Sequence, residues 1–353
     1  MLLQIRKASG YLCILVPPLL LVVSIGLGMP VLALAMLILV APLLRVLFGD
    51  VLDSPPEWTE GIATMLELLP LLCAAAYFAA IIFVAWGLRG LPLPASDLAW
   101  FGGSLWAAFI FASCVAHELV HRTTIVSKTM GRVLSGVIGY PLLEHEHQAH
   151  HTRSGSVEMA EWPRVDESLW PFTVRRFGLV FRTAWDGDVM MAARRGHRLA
   201  GGLPVAVGAM LGTAAIFAWA AGLAGFLLYA CVVAAVAWTL QAVTYIQHWG
   251  LGSDHVPNAA TANLGWEDRC QLQAWLTLSI SYHQAHHRAA TVPYYRQQPT
   301  HGSPRAPAGY IVLLFASLVP PIWRALMLPA LERWQRTPHA QRAPGRRLIC
   351  IGR

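Results

Sequence analysis

Charged side chains are scarce in this 353-residue chain: Asp, Glu, Lys and Arg together supply 13% of it, about half the share usual in a soluble domain. So little charge cannot cover a water-facing surface, which excludes an ordinary soluble enzyme. Cysteine is scarce as well. Six are scattered over positions 13, 73, 114, 231, 270 and 350 with no CxxC pair, which excludes a disulfide framework and a cysteine-ligated iron domain. Any redox chemistry carried here must therefore draw electrons from another protein. No internal repeat or low-complexity stretch breaks the chain.

What the sequence has is apolar length. Hydrophobic residues make up 56% and the mean hydropathy is +0.50. Runs long enough to cross a bilayer lie at about 11–27, 31–47, 66–88, 98–116, 203–221 and 224–246. The expected fold is an all-α polytopic membrane bundle of six transmembrane helices, with a cytoplasmic histidine-rich cap holding two metal ions. Arg6 and Lys7 precede a first run of signal-peptide character, but a second run follows at once with no small-residue cleavage site between, so it reads as a retained helix.

Orientation follows from Lys and Arg. The segment from Arg122 to Arg198 carries Lys128, Arg132, Arg153, Arg164, Arg175, Arg176, Arg182, Arg194 and Arg195, whereas the short loops opposite carry almost only Arg89. The basic side is cytoplasmic by the positive-inside rule, with both termini inside a bacterial-type inner membrane. That bias also accounts for a net charge of +7 and a pI near 9.3 without a nucleic-acid partner. Residues 1–331 read as one integral-membrane catalytic domain with cap segments at about 117–200 and 247–308. Residues 332–353 read as a basic tail, 127–143 as a helix lying against the cap, 271–282 as helix leading into the last histidine cluster, and 309–327 as an interfacial or re-entrant segment broken by Pro320-Pro321.

Of fourteen histidines, nine fall into four clusters: His117/His121, His147/His150/His151, His248 and His283/His286/His287. His117 and His121, in an HExxH pattern, stand one helical turn apart on one face. The two HQAHH runs each place imidazoles at i, i+3 and i+4, a patch about one turn tall. Nine nitrogen donors exceed the needs of one ion and suit two, each with room for an exogenous ligand. Nitrogen-rich paired sites of this kind favour redox iron over structural zinc. All nine are metal-ligand candidates. His145 competes with His147, since residues two apart face different sides of a helix and only one of the pair should bind. His197, His255, His301 and His339 stand outside the clusters and read as surface residues. Most of the fourteen tryptophans read as interfacial anchors. Trp249, beside His248, is the exception.

The quoted runs His117-Glu-Leu-Val-His121-Arg, Glu146-His147-Gln-Ala-His150-His151, Tyr245-Ile-Gln-His248-Trp-Gly-Leu251 and His283-Gln-Ala-His286-His287 resemble the four boxes of the membrane alkane monooxygenases, within the wider membrane di-iron desaturase-hydroxylase group. Glu167-Ser-Leu-Trp-Pro-Phe-Thr-Val-Arg175 followed by Ala184-Trp185 resembles the stretch after that family's second box. The resemblance spans roughly residues 95 to 300. It departs in four places: the second box is one residue short, Gln247 stands where Glu is usual, Ala285 where Asp is frequent, and Val157-Glu158-Met159-Ala160 replaces an acidic segment.

The resemblance implies terminal hydroxylation of an alkyl chain to a primary alcohol. It also implies two iron ions, O2 as co-substrate, and electrons from rubredoxin or ferredoxin with a reductase. The apolar bundle suits a lipophilic chain entering laterally from membrane lipid. Glu118, Glu146 and Glu158 are candidates for orienting ligand histidines, and Glu118, Glu146 and Trp249 are the candidate catalytic residues beside the metals. The alternative with the same irons is a desaturase, or a desaturase-like fatty acid decarboxylase forming a terminal alkene. A zinc intramembrane protease accounts for HExxH but not for seven further clustered histidines. A metal transporter predicts charged ligands inside the spans, which are nearly free of them.

Overall fold

All six apolar runs fold as helix in the computed structural model, which describes residues 2–51, 54–89, 94–159, 161–197, 201–252 and 263–337. His255, His339, Cys350, Ala160 and the arginines expected at 342, 346, 347 and 353 lie outside the described residues. The first run lies in α1 (Leu2–Gly26) and the second in the shorter α2 (Leu32–Phe48). The next two lie in α3 (Glu60–Leu88) and α4 (Ala95–His121), and the last two share α8 (Leu203–His248). By length and hydropathy α1, α3, α4 and α8 can each cross a membrane. Among the described residues there is no strand, only the isolated bridges Asp50 to Cys270 and Glu267 to Arg305.

Local chemistry explains the irregular turns. Pro17 and Pro18 lack the N–H that would bond one turn back, and α1 tightens over Tyr11–Leu15 ahead of them. The Cys73 thiol of α3 donates to the Ile14 carbonyl that Pro18 leaves open, at 3.3 Å. At 46 residues α8 would extend about 69 Å, twice a bilayer core. It breaks at Ala221 and Gly222, where Gly222 takes φ +60°. Its two arms meet beside the break through the stacked rings of Phe217 and Tyr229, 5.5 Å apart.

Two expectations about the smaller elements are corrected. Helix α5 (Ile125–Val137) does not lie on the cap but packs between α4 and α8. Its glycines are contact points rather than breaks: a Cβ on Gly136 would meet the Ala206 carbonyl, one on Gly131 the Ala116 carbonyl. Tyr229 of α8 donates to the Val137 carbonyl at 2.9 Å, and α5 ends as Gly139 turns left-handed at φ +81°. Residues 271–282 are not one helix. Helix α9 (Gln271–Leu276) stops at a turn where Leu278 and Ser279 adopt φ of 48° and 59°, and α10 (His283–Arg288) starts afresh beyond it. Five of the fourteen tryptophans, Trp162, Trp249, Trp266, Trp323 and Trp334, are buried together in a second core.

The remaining elements hold that cap in place. Helix α6 (Leu143–Thr152) packs against α7 (Leu169–Arg195), which also crosses α8. The 309–327 segment folds as α11 (Tyr310–Ser317) and α12 (Pro320–Gln335), with Pro320 and Pro321 opening the second, where a missing N–H costs nothing. Helix α12 continues past residue 332.

Candidate metal centre

Four helix ends meet at one level. Helix α4 ends on His121, α8 ends on His248, and α6 and α10 each carry an HQAHH run. Their imidazoles form two groups. His117, His121, His147 and His286 present ligand atoms within 4.8 Å of one another, and His150, His248, His283 and His287 do the same. His151 joins the first group, its Nε2 lying 2.9 Å from that of His147 and 3.0 Å from that of His286.

The one-face reading of HQAHH is therefore refined. In α6, His147 and His151 serve one group and His150 the other; in α10, His283 and His287 serve the second group and His286 the first. The two runs exchange their middle ligand. His145 turns away to α7, where its Nε2 lies 3.5 Å from the Asp188 carboxylate.

The donor set fits two cations. The Nε2 of His147 lies 2.8, 2.6, 2.9 and 3.3 Å from the Nε2 atoms of His117, His121, His151 and His286. A single ring nitrogen cannot satisfy four such partners by hydrogen bonding. In the second group His248 donates its Nδ1–H to the Leu264 carbonyl at 3.1 Å, and His150 donates its own to Glu161 at 3.0 Å. In the neutral tautomers that these bonds select, both Nε2 atoms carry bare lone pairs, yet they stand 3.1 Å apart. Lone pairs so placed repel unless a cation lies between them. Ligands at right angles on metal–nitrogen bonds of about 2.1 Å would be about 3 Å apart, matching these spacings. Burial first, then neighbouring imidazoles, push His147, His283, His286 and His287 well below the usual histidine range and His151 to about 3. Neutral imidazole is the form that binds metal.

The family profile described as fatty acid desaturase matches residues 95–315, an interval that holds every histidine of both groups. The chain belongs to the fatty acid desaturase family. It is an oxidoreductase. It is similar to alkane 1-monooxygenase 1 of Pseudomonas aeruginosa, 26% identical over 84% of this chain and 81% of the relative. It is also similar to alkane 1-monooxygenase of Ectopseudomonas oleovorans, 24% identical over 83% and 76%, and to alkane 1-monooxygenase 2 of Alcanivorax borkumensis, 28% identical over 64% and 61%.

Which carboxylates touch ligand histidines in this desaturase-family chain differs from the expectation. Glu118 turns to Arg122 at 2.6 Å and to the Tyr294 amide at 3.4 Å. Glu146 binds Arg176 at 2.7 Å and accepts from Tyr140, and Glu158 is exposed. Glu118 and Glu146 spend their carboxylates on partners other than the imidazoles, and Glu158 lies in a turn beyond the end of α6. The contact to a ligand comes instead from Glu161, which the sequence reading missed, in the loop between α6 and α7. Arg176 of α7 donates to the same carboxylate oxygen at 2.7 Å. Burial alone would raise the Glu161 carboxyl, but Arg176 and His150 outweigh it and hold it at about 2. Burial likewise opposes the Arg176 charge, and Glu161 and Glu146 reverse the effect. Trp249 packs on Trp323 at 5.8 Å. The indole that stacks on His248, at 4.5 Å, belongs to Trp162. Also unforeseen, Glu267 accepts from the Ala285 amide at 3.1 Å, the Thr300 amide at 3.0 Å and the Ser303 hydroxyl, pinning the first turn of α10. Ser154 meets Nδ1 of His287 at 3.1 Å.

An apolar cavity of about 130 Å³ opens under both groups. Ile38 of α2, Ile110, Phe111 and Cys114 of α4, Leu240 and Val243 of α8, and Leu314 of α11 line it, and His117, His147, His150 and His283 close one end.

Proposed function

We propose that this protein is an integral-membrane non-haem di-iron monooxygenase that uses O2 and two electrons to hydroxylate the terminal C–H of an alkane or alkyl chain to a primary alcohol. The observation that carries the reading is an apolar cavity ending on two convergent imidazole groups. Names of relatives that are alkane 1-monooxygenases support it.

The nine histidines would be the ligands: His117, His121, His147, His151 and His286 around one ion; His150, His248, His283 and His287 around the other. Iron bound there supplies oxygen-activating redox chemistry. The protein's own contribution is order and dryness. Leu264, Glu161 and Ser154 fix ring orientations through Nδ1, and Trp162 seals one flank of His248. The cavity walls keep water away and steer a chain end toward the imidazoles. Residues 1–331 act as one catalytic domain in an inner membrane with termini and metals on the cytoplasmic side, where rubredoxin or ferredoxin with its reductase delivers electrons.

The test is mass-spectrometric analysis of membranes containing the protein, given a reduced electron-transfer system, O2 and a mixture of medium-chain alkanes and fatty acids. Primary alcohols from the alkanes are expected. Alkenes or unsaturated acids with untouched alkanes would replace the hydroxylase by the desaturase-like reading.

A further inference from the structure

The walls of the cavity are more apolar than their sequence suggests. Ser113, Thr239, Thr244 and Thr277 all line it, yet each hydroxyl donates to a carbonyl of its own helix, at 2.6, 2.7, 3.3 and 2.7 Å. These side chains show the space their methyl and methylene groups. Gln247 departs from the pattern. It lines the same cavity, is 4% exposed, and its Nε2 has no hydrogen-bond partner among the described residues. A polar neighbour, the Tyr310 hydroxyl, commits its proton to the Trp266 carbonyl at 2.7 Å and so does not donate to the Gln247 side chain. The Gln247 backbone is fixed, its carbonyl receiving the Trp266 amide at 2.8 Å. A buried amide N–H without an acceptor is unfavourable, and natural interiors rarely keep one unless something binds there.

Its position says what would bind. Gln247 directly precedes His248 and shares the cavity with His117, His147, His150 and His283, so the amide stands at the metal end and not at the tail end. We propose that Gln247 is an oxygen-anchoring subsite: its Nε2–H donates to the hydroxyl oxygen of an alkyl chain whose terminal carbon already carries a primary alcohol. The subsite deepens the alkyl-chain reading of the cavity and rests on it. A neutral donor suits this ligand, since it binds an alcohol oxygen without adding a charge to a pocket whose charged lining residues, Glu146 and Arg176, are already paired with each other. A purely hydrocarbon chain of the same length leaves the amide unpaired, so the cavity discriminates between the two by one hydrogen bond.

The test measures saturable retention of radiolabelled 1-decanol and of decane by purified, metal-loaded protein in lipid nanodiscs, comparing the parent with Gln247→Met, an apolar side chain of similar length. Bound metal per chain and thermal midpoint verify that the variant is folded. The decanol-to-decane affinity ratio should fall about fivefold in Gln247→Met, the worth of one neutral hydrogen bond. Saturable retention of both chains with the same ratio in the two proteins overturns the anchor and leaves the alkyl reading standing. No saturable retention of either chain by the parent overturns both.

Discussion

Glu161 receives the Nδ1–H of His150 at 3.0 Å. The carboxylate fixes the tautomer in which His150 turns a bare Nε2 toward His248, His283 and His287, and Arg176 keeps it ionised. Glu161→Gln retains an acceptor oxygen but loses the charge. We expect about 10- to 100-fold weaker metal binding in the His150 group, read by competition with a chelator. An unchanged affinity would mean that Glu161 serves only the fold.

Arg176 is 1% exposed and joins Glu161 to Glu146 at 2.7 Å each. Arg176→Met would leave two buried carboxylates without their counter-charge, a loss of about 3–5 kcal/mol. Thermal unfolding in detergent should show a much lower midpoint; a shift no larger than that of an exposed arginine such as Arg333 would contradict the bridging role.

Glu267 acts on geometry rather than charge. Its two oxygens tie the Ala285 amide of α10 to the Thr300 and Ser303 loop. Glu267→Ala would free a helix of only six residues, too short to hold itself in water. Because α10 supplies ligands to both groups, both ions should be lost together, measured as metal per chain. Loss of one ion alone would show that α10 keeps its place without Glu267.

How much of this was legible in sequence depends on range. HExxH and HQAHH are helical periods, so eight of the nine imidazoles and the six apolar runs could be read from spacing alone, while the lone His248 was marked by the box it resembles. The exchange of the middle ligand could not, because it depends on how α6 and α10 face each other across the chain, with His150 and His287 separated by 137 positions. Glu161 and Glu267 lie in loops where no period marks them. The glycines of α5 misled for a related reason: in isolation Gly136 weakens a helix, whereas here it lets α8 approach.

Acid should weaken the metal-free protein in a defined window. His151 drops from 6.5 to about 3, by burial and then nearby His150 and His121; Glu161 drops from 4.5 to about 2, Arg176 and His150 outweighing burial. In each case the unfolded chain binds more protons between the two values, so stability rises with pH there. The His151 contribution is complete above 6.5 and that of Glu161 above 4.5, and both are lost on acidification toward the folded values. The thermal midpoint of metal-stripped protein should decline as pH falls from 6.5. A flat profile down to about 4 would contradict burial of neutral imidazoles.

The exchange of ligands between α6 and α10 predicts which substitutions act alike. His147 and His286 are far apart in sequence but share a group, as do His150 and His283. Single changes His147→Ala and His286→Ala should each cost the same ion, leaving about one per chain, since each removes an imidazole from the same group. The double variant His147→Ala with His286→Ala should lose no more than either single change. His147→Ala with His150→Ala, three positions apart on one helix, should empty both sites, while His145→Ala, turned to Asp188, should keep both. Metal content by plasma mass spectrometry decides the matter: if His147 with His286 removes both ions and His147 with His150 only one, the histidines are grouped by helix and the crossed arrangement is wrong.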